Sequence, residues 1–271
     1  MTLGFIGAGN MASAILQGAV SQKFLSPESI FIYDVVPAQC NRVMAAFPGV
    51  QTSANNGELV CRSDVIVLAV KPVYLEGVLQ EIRPFVRGKR LISIAAGWTS
   101  AMLGKALGPE SGAQVLRVSP NTPALVGEGF TALCEESTFD AEALQWATAL
   151  FQTLGATCTA PERLFNALIA VSGSSPAYVY MFIEAMADGA VKLGLSRALA
   201  YQAAAQSVLG AAKMVLETGE HPGKLKDDVC SPGGTTIEAV YQLERGGMRS
   251  AVITAMEACA AKCEALEAKQ K

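Results

Sequence analysis

Three short turns and one carboxylate carry the chemistry that can be read from this chain. The first turn is Gly7-Ala8-Gly9-Asn10-Met11-Ala12, a G-x-G-x-x-A pattern. It follows the apolar run Leu3–Ile6 and leads at once into helical spacing of Met11, Ala12, Ile15, Leu16 and Ala19. In a strand–turn–helix of this kind the first glycine permits the tight turn. The second lets backbone N–H groups approach a pyrophosphate, and the small third residue lets the helix lie close on the strand. The helix N-terminus adds unpaired donors and partial positive charge. A bound NAD(P) is the expectation.

The second turn lies in Asp227-Asp-Val229-Cys-Ser231-Pro-Gly-Gly234-Thr235-Thr236-Ile-Glu238. Pro232 stops the preceding structure, two glycines allow unusual backbone angles, and Thr235 with Glu238 fits a capping box that starts a helix. This is a second helix N-terminus suited to an anion, with two hydroxyls at its mouth. A carboxylate would be well held there, although a plain glycine-rich turn between helices has the same pattern. The third turn, Ser172-Gly-Ser174-Ser-Pro-Ala177, has similar character. Neither loop offers a strong acid, base or metal ligand. A reaction run with these parts draws on a cofactor and on positioning, and hydride transfer to a polarised C=N bond fits that description.

The remaining reactive side chains argue against other chemistries. With one histidine, His221, a Ser-His-Asp triad has no support. The seven cysteines are scattered without a C-x-x-C and read as reduced thiols of a cytosolic protein. Cys259 and Cys263, one helical turn apart, read as helix packing, so no metal site is expected. Glu184, Asp188 and Lys192 at i, i+4 spacing read as an ion-pair stripe.

The chain has 271 residues, 51% hydrophobic and only 17% charged, with a net charge of −3. That composition describes a compact globular protein of one large or two ordinary domains and gives nucleic acid no basic patch to bind. No membrane span and no signal peptide are expected.

Positioning falls to two halves of different periodicity. Up to about residue 160, β-rich runs (3–6, 30–33, 65–70, 90–95, 114–118, 131–134 and 156–159) alternate with helical stretches (37–47, 74–86, 100–107 and 140–154). Such alternation predicts a Rossmann-type α/β domain over 1–160 with a mainly parallel sheet. Ligands in such sheets sit beyond the carboxyl ends of the strands. After Pro161 the pattern is helical, predicting an all-α domain over 161–271 with helices at 162–171, 176–193, 198–218, 224–229, 236–245 and 248–268. Tyr178–Ile183 is apolar on every face. Such a helix must be buried all round, which points to a dimer interface.

Taken together, Gly4-Phe-Ile-Gly-Ala-Gly-Asn-Met11, Leu68-Ala-Val-Lys-Pro72, Ser93-Ile-Ala-Ala-Gly97, Arg117-Val-Ser-Pro-Asn-Thr-Pro123, Ser172-Gly-Ser-Ser-Pro-Ala-Tyr178, Asp188-Gly-Ala-Val-Lys192 and Ser231-Pro-Gly-Gly-Thr-Thr236 resemble pyrroline-5-carboxylate reductases along essentially the whole chain. The resemblance implies NADPH- or NADH-dependent reduction of 1-pyrroline-5-carboxylate to L-proline by a cytoplasmic homodimer, with a decamer as a further option. It implies that Gly7, Ala8, Gly9, Asn10 and Met11 hold the pyrophosphate. Asn56, Ala69, Val70, Lys71, Pro72, Ala96 and Gly97 would line the ribose and nicotinamide side. Val229, Gly234, Thr235, Thr236 and Ser174 would receive the substrate, with the Thr236 hydroxyl hydrogen-bonding the ring nitrogen.

Two departures from the family pattern stand out. Its usual Gly-Ser-Gly-Pro-Ala is Gly173-Ser-Ser175-Pro-Ala here. Asp34 stands at the end of the second strand, where an acidic residue accepts the ribose 2′-hydroxyl of NAD. Beside a 2′-phosphate at 4 Å it would cost about 4 kcal/mol at an effective dielectric of 20. Arg42 would offset part of that, and an Asp34 that merely caps a turn would not matter. Alternatives on the same architecture are an imine reductase, a β-hydroxyacid dehydrogenase and a non-catalytic NAD(P)-binding regulator.

Overall fold

The computed structural model describes residues 1–269. Four-residue strands β1 (Leu3–Ile6), β2 (Ile30–Tyr33), β4 (Val65–Leu68) and β5 (Arg90–Ser93) form where apolar runs meet a glycine, aspartate or proline turn. With β3 (Gln51–Thr52), β6 (Gln114–Ser119), β7 (Gly129–Cys134) and β8 (Gly155–Ala160) they make one eight-stranded sheet, ordered β3-β2-β1-β4-β5-β6-β7-β8. Every neighbouring pair is parallel except β6 with β7. The strand order reverses direction between β1 and β4, and that switch point is where an open α/β sheet leaves a crevice for a ligand.

Helices α1 (Asn10–Ser21), α2 (Pro37–Ala46), α3 (Asn56–Arg62), α4 (Pro72–Ile82), α5 (Ser100–Leu107) and α6 (Ala141–Gln152) cover the sheet. One apolar layer joins Phe5, Ile15, Leu16, Ile32, Val67, Leu150 and Phe151, and the other joins Ile6, Leu59, Ile66, Leu75, Leu79, Leu91 and Leu103. Strands buried on both faces explain why their sequence reads as unbroken apolar runs rather than alternation.

The two-residue β3 and the seven-residue α3 are absent from the periodicity reading. Both β3 residues are exposed, so no apolar run marks them. For α3 the available signal was its cap, the Asn55 side chain accepting from the Glu58 backbone N–H at 2.8 Å.

Beyond β8 come a short 3₁₀ turn, α7 (Phe165–Leu168) and a π-helical turn (Ile169–Gly173). Helices α8 (Ser175–Lys192), α9 (Arg197–Thr218), α10 (Pro222–Asp228), α11 (Thr235–Arg245) and α12 (Met248–Lys269) follow. Packing divides the chain into two compact units, Met1–Ser174 together with the residues from Cys259 onward, and Ser175–Ala258. In the second unit only small side chains are buried, Ala187 on α8 and Ala200 and Ala204 on α9. Val179, Tyr180, Met181 and Phe182 of α8 are exposed in the single chain, so the described residues leave this stretch of the helix uncovered although it is expected to be buried all round.

Two local expectations are corrected. Asp188 pairs with Arg197 at the start of α9 instead of with Lys192 four residues on. Helix α11 begins at Thr235 with Gly234 as its N-cap, so Thr235 is the first helical residue and no capping box with Glu238 forms. The helix starts a residue early because Ser231–Gly234 closes as a turn. Gly234 N–H donates to the Ser231 carbonyl at 3.0 Å, Pro232 precedes Gly233, and Gly233 has φ +69°.

Candidate active site

The candidate site residues fall into two separate sets, one at the switch point of the first unit and one at the start of α11 in the second.

At the switch point, Gly7 ends β1 with φ +96°, and a Cβ there would stand 2.5 Å from the Ala69 carbonyl oxygen. Only glycine fits. Gly7 N–H donates to Tyr33 O and Ala69 N–H donates to Ile6 O, each at 2.8 Å, which locks the turn between its neighbours. Gly9 is the N-cap of α1, and a Cβ built on it would meet nothing within 4 Å. The tight-turn and open-approach roles expected of these two glycines are therefore both present as geometry. Asn10 and Met11 open α1 and bring its unpaired backbone donors to the same place.

Beside the turn lies a crevice of about 190 Å³ lined by Ile6, Gly7, Tyr33, Asp34, Asn56 and Val70, with Val35, Tyr74 and Val78 completing an apolar wall. Asp34 does more than cap a turn. Its Oδ1 accepts from Val36 N–H at 2.9 Å and its Oδ2 accepts from Ala8 N–H at 2.8 Å, tying the carboxylate to the glycine turn. Asn56 is buried; its Nδ2 donates to Glu81 at 2.7 Å, while its Oδ1 has no partner. A buried carbonyl without a donor is costly and marks a place for a ligand hydroxyl or amide. The open approach at Gly9 and this orphaned acceptor both fit a dinucleotide.

Val70, Lys71 and Pro72 follow β4, and the Pro72 carbonyl accepts from the Trp98 indole N–H at 3.3 Å. That bond joins the Lys71-Pro72 turn to the segment Ala96-Gly97-Trp98. Gly97, at φ +79°, has its Cα face 3.1 Å from Leu266 for any added Cβ. A second cavity, about 180 Å³, opens at the carboxyl ends of β5 and β6 between Ala96, Arg117, Ser119, Phe165, Gly173 and Ser174. A larger groove of about 630 Å³ runs between α4 and α5, but its charges are opposed (Glu76, Arg83 and Lys105) and converge on nothing.

Arg117 lines the second cavity, a placement that side-chain chemistry alone did not single out. It is 2% exposed, donates to Glu162 at 3.2 Å and Glu267 at 3.0 Å, and lies 4.9 Å over the Phe165 ring. A buried guanidinium needs such pairing. The available signal was a charge in the middle of the apolar strand Val115–Val118. The π-helical turn was also missed. Ser174 N–H donates to Ile169 O at 2.8 Å, which turns Gly173 and Ser174 toward the second cavity. The Ser174 hydroxyl accepts from the Cys259 thiol at 3.3 Å.

In the second unit, Gly233, Gly234, Thr235, Ile237 and Glu238 line an open cavity of about 420 Å³. Gly234 packs closely against this turn, where an added Cβ would stand 2.4 Å from Ser231 Oγ and oblige that hydroxyl to rotate. Thr236 is half-buried on the first turn of α11, and Val229 is exposed at the end of α10. His221 caps α10, its Nδ1 accepting from Gly223 N–H at 3.0 Å, in keeping with its having no catalytic partner in the sequence.

A family model described as pyrroline-5-carboxylate reductase dimerisation matches residues 162–266. Pyrroline-5-carboxylate reductase of Escherichia coli (strain K12) is 46% identical over 97% of this chain and 97% of its own length. The chain belongs to the pyrroline-5-carboxylate reductase family. The solved structure of Plasmodium falciparum pyrroline carboxylate reductase with NADP bound is 34% identical, covers 98% of each chain and superposes with a TM-score of 0.90. A second model, NADP oxidoreductase coenzyme F420-dependent, matches residues 2–97, the glycine turn and switch point. An imine reductase from Myxococcus stipitatus in complex with NADP⁺, 16% identical over 100% of this chain and 93% of its own, shares the fold at a TM-score of 0.55. The matched dimerisation domain includes α8 with its uncovered face and supports a homo-oligomer. Among the described residues no helix is long and apolar enough to cross a membrane.

Proposed function

We propose that the protein is a pyrroline-5-carboxylate reductase that uses NADPH or NADH to reduce 1-pyrroline-5-carboxylate to L-proline, the last step of proline biosynthesis. Family membership at 46% identity over nearly the whole chain carries this reading. The two intact ligand-ready sites support it. When bound, the reduced nicotinamide supplies a hydride to the carbon of the C=N bond. The chain's own residues bind and orient.

In this reading Gly7, Ala8, Gly9, Asn10 and Met11 form the pyrophosphate site, with the α1 N-terminus from Gly9 onward supplying the backbone N–H groups, because those of Gly7 and Ala8 are bonded to Tyr33 O and Asp34 Oδ2. Asp34 and Asn56 bind the adenosine ribose. Ala69, Val70, Lys71, Pro72, Ala96 and Gly97 shape the path to the nicotinamide end, and Ser174 stands at the second cavity. Val229, Gly234 and Thr235 receive the substrate carboxylate at the first turn of α11, whose N–H groups lack helical partners. The Thr236 hydroxyl hydrogen-bonds the ring nitrogen and fixes the face presented to the cofactor. Because the iminium is already electron-poor, Thr236 positions the ring and no strong acid is needed. The functional division is a dinucleotide domain over 1–160 and a dimerisation and substrate domain over 161–271. The protein acts as a homodimer, open to further assembly into a decamer, in the cytoplasm, where its seven free thiols would stay reduced.

The test is Thr236→Ala. Loss of one oriented hydrogen bond is expected to lower kcat/KM by roughly ten- to a hundredfold, with far-UV circular dichroism and oligomeric state unchanged. Wild-type kinetics in that variant would remove Thr236 from the mechanism.

A further inference from the structure

The glycine-turn crevice carries an inference about which form of the dinucleotide it takes, and it rests on the cofactor reading above. The charged group on its wall is the Asp34 carboxylate, an acceptor only, and the Nδ2 donor of the lining residue Asn56 is committed to the Glu81 carboxylate at 2.7 Å. A carboxylate accepts at up to about four positions, so the two backbone N–H bonds to Asp34 leave room for a ligand hydroxyl. Those same bonds hold the carboxylate in place. To swing clear of the crevice it would have to abandon the Ala8 and Val36 N–H groups together.

The nearest candidate for a compensating cation is Arg42 on α2. Its Nη2 donates to the Ala8 carbonyl at 3.2 Å and to Ser13 Oγ at 3.5 Å, which braces the glycine turn. The residues lining the crevice otherwise include Ile6, Tyr33 and Val70 and bring no positive charge. A ribose with free 2′- and 3′-hydroxyls offers donors to the waiting carboxylate. A 2′-phosphate is an acceptor-only dianion and meets a fixed like charge.

We propose that Asp34, held by the Ala8 and Val36 N–H groups, makes this crevice selective for a ribose bearing a free 2′-hydroxyl. The protein therefore binds NADH in preference to NADPH.

Direct titration of the purified oligomer with NADH and NADPH, followed by nicotinamide fluorescence without substrate, tests this apart from turnover. Wild type is expected to bind NADH at least about tenfold more tightly, and Asp34→Asn to bind NADPH about tenfold more tightly than wild type does. The asparagine keeps the size of the side chain and an acceptor for one backbone N–H. Were Asp34 only a brace for the turn, the variant would weaken both cofactors alike and leave their ratio unchanged, which overturns the proposal. Tighter binding of NADPH by wild type overturns it as well while leaving the reductase reading standing. Binding of neither cofactor overturns both.

Discussion

At the scale of single residues, the two glycines of the first turn separate folding from binding. A Cβ at position 7 collides with the Ala69 backbone in a left-handed conformation, whereas a Cβ at position 9 meets no protein atom. Gly7→Ala is therefore expected to destabilise the fold by about 1–3 kcal/mol. Gly9→Ala should unfold like wild type yet bind dinucleotide at least about tenfold more weakly, since its methyl takes the space through which the pyrophosphate approaches. Urea unfolding and cofactor titration on both variants check this, and equal stability of the two would contradict it. Cys134 on β7 offers a second test. Burial pushes its thiol from 9.0 up to about 11, with Glu136 and Glu162 adding to the rise and the Ser100 hydroxyl opposing it. The unfolded chain then ionises first, so the stability held by the neutral thiol is whole below about pH 9 and is lost as pH climbs toward 11. Between pH 8 and 10.5 wild type should lose ~1–2 kcal/mol more than Cys134→Ala does; parallel losses would mean that the thiol does not titrate this way.

At the scale of elements, the strands and long helices were legible because each is marked twice, by an apolar pattern and by a turn residue. β1, β2 and α5 fall at the expected residues (3–6, 30–33 and 100–107). What escaped had only one mark or none. Exposed β3 has no apolar run, and α3 announces itself by the Asn55 cap alone. The segment 162–171 reads as one helix, whereas residues 162–173 break into 3₁₀, α and π turns, because hydrophobic spacing does not report which carbonyl an N–H will choose. The same limit applies to the sites. Glycine spacing marked the turns, but the unpaired Oδ1 of Asn56 and the pairing of Arg117 depend on Glu81 and Glu267, contacts far apart in sequence. Helix α8 shows the opposite case, a feature clear in sequence and incomplete in one chain. Met181 is 70% exposed. Met181→Glu would place an unpaired charge in the oligomer interface and is expected to weaken association on the order of a hundredfold. Sedimentation should then show smaller species, and an unchanged oligomer would mean that this face is not the interface.

At the scale of the whole molecule, the proposed function divides the labour of one reaction between the two units. The first supplies a dinucleotide crevice at a sheet switch point and a second cavity at the ends of β5 and β6. The second supplies a helix N-terminus with two threonines and little covered apolar surface of its own. A non-catalytic regulator would have no use for the threonine-bearing loop. The measurement that tests this most directly is the initial rate of NADH and NADPH oxidation by the purified protein with 1-pyrroline-5-carboxylate, at matched cofactor concentrations. Substrate-dependent oxidation with stoichiometric formation of L-proline is the predicted result. No oxidation above background with either cofactor would contradict the reductase reading.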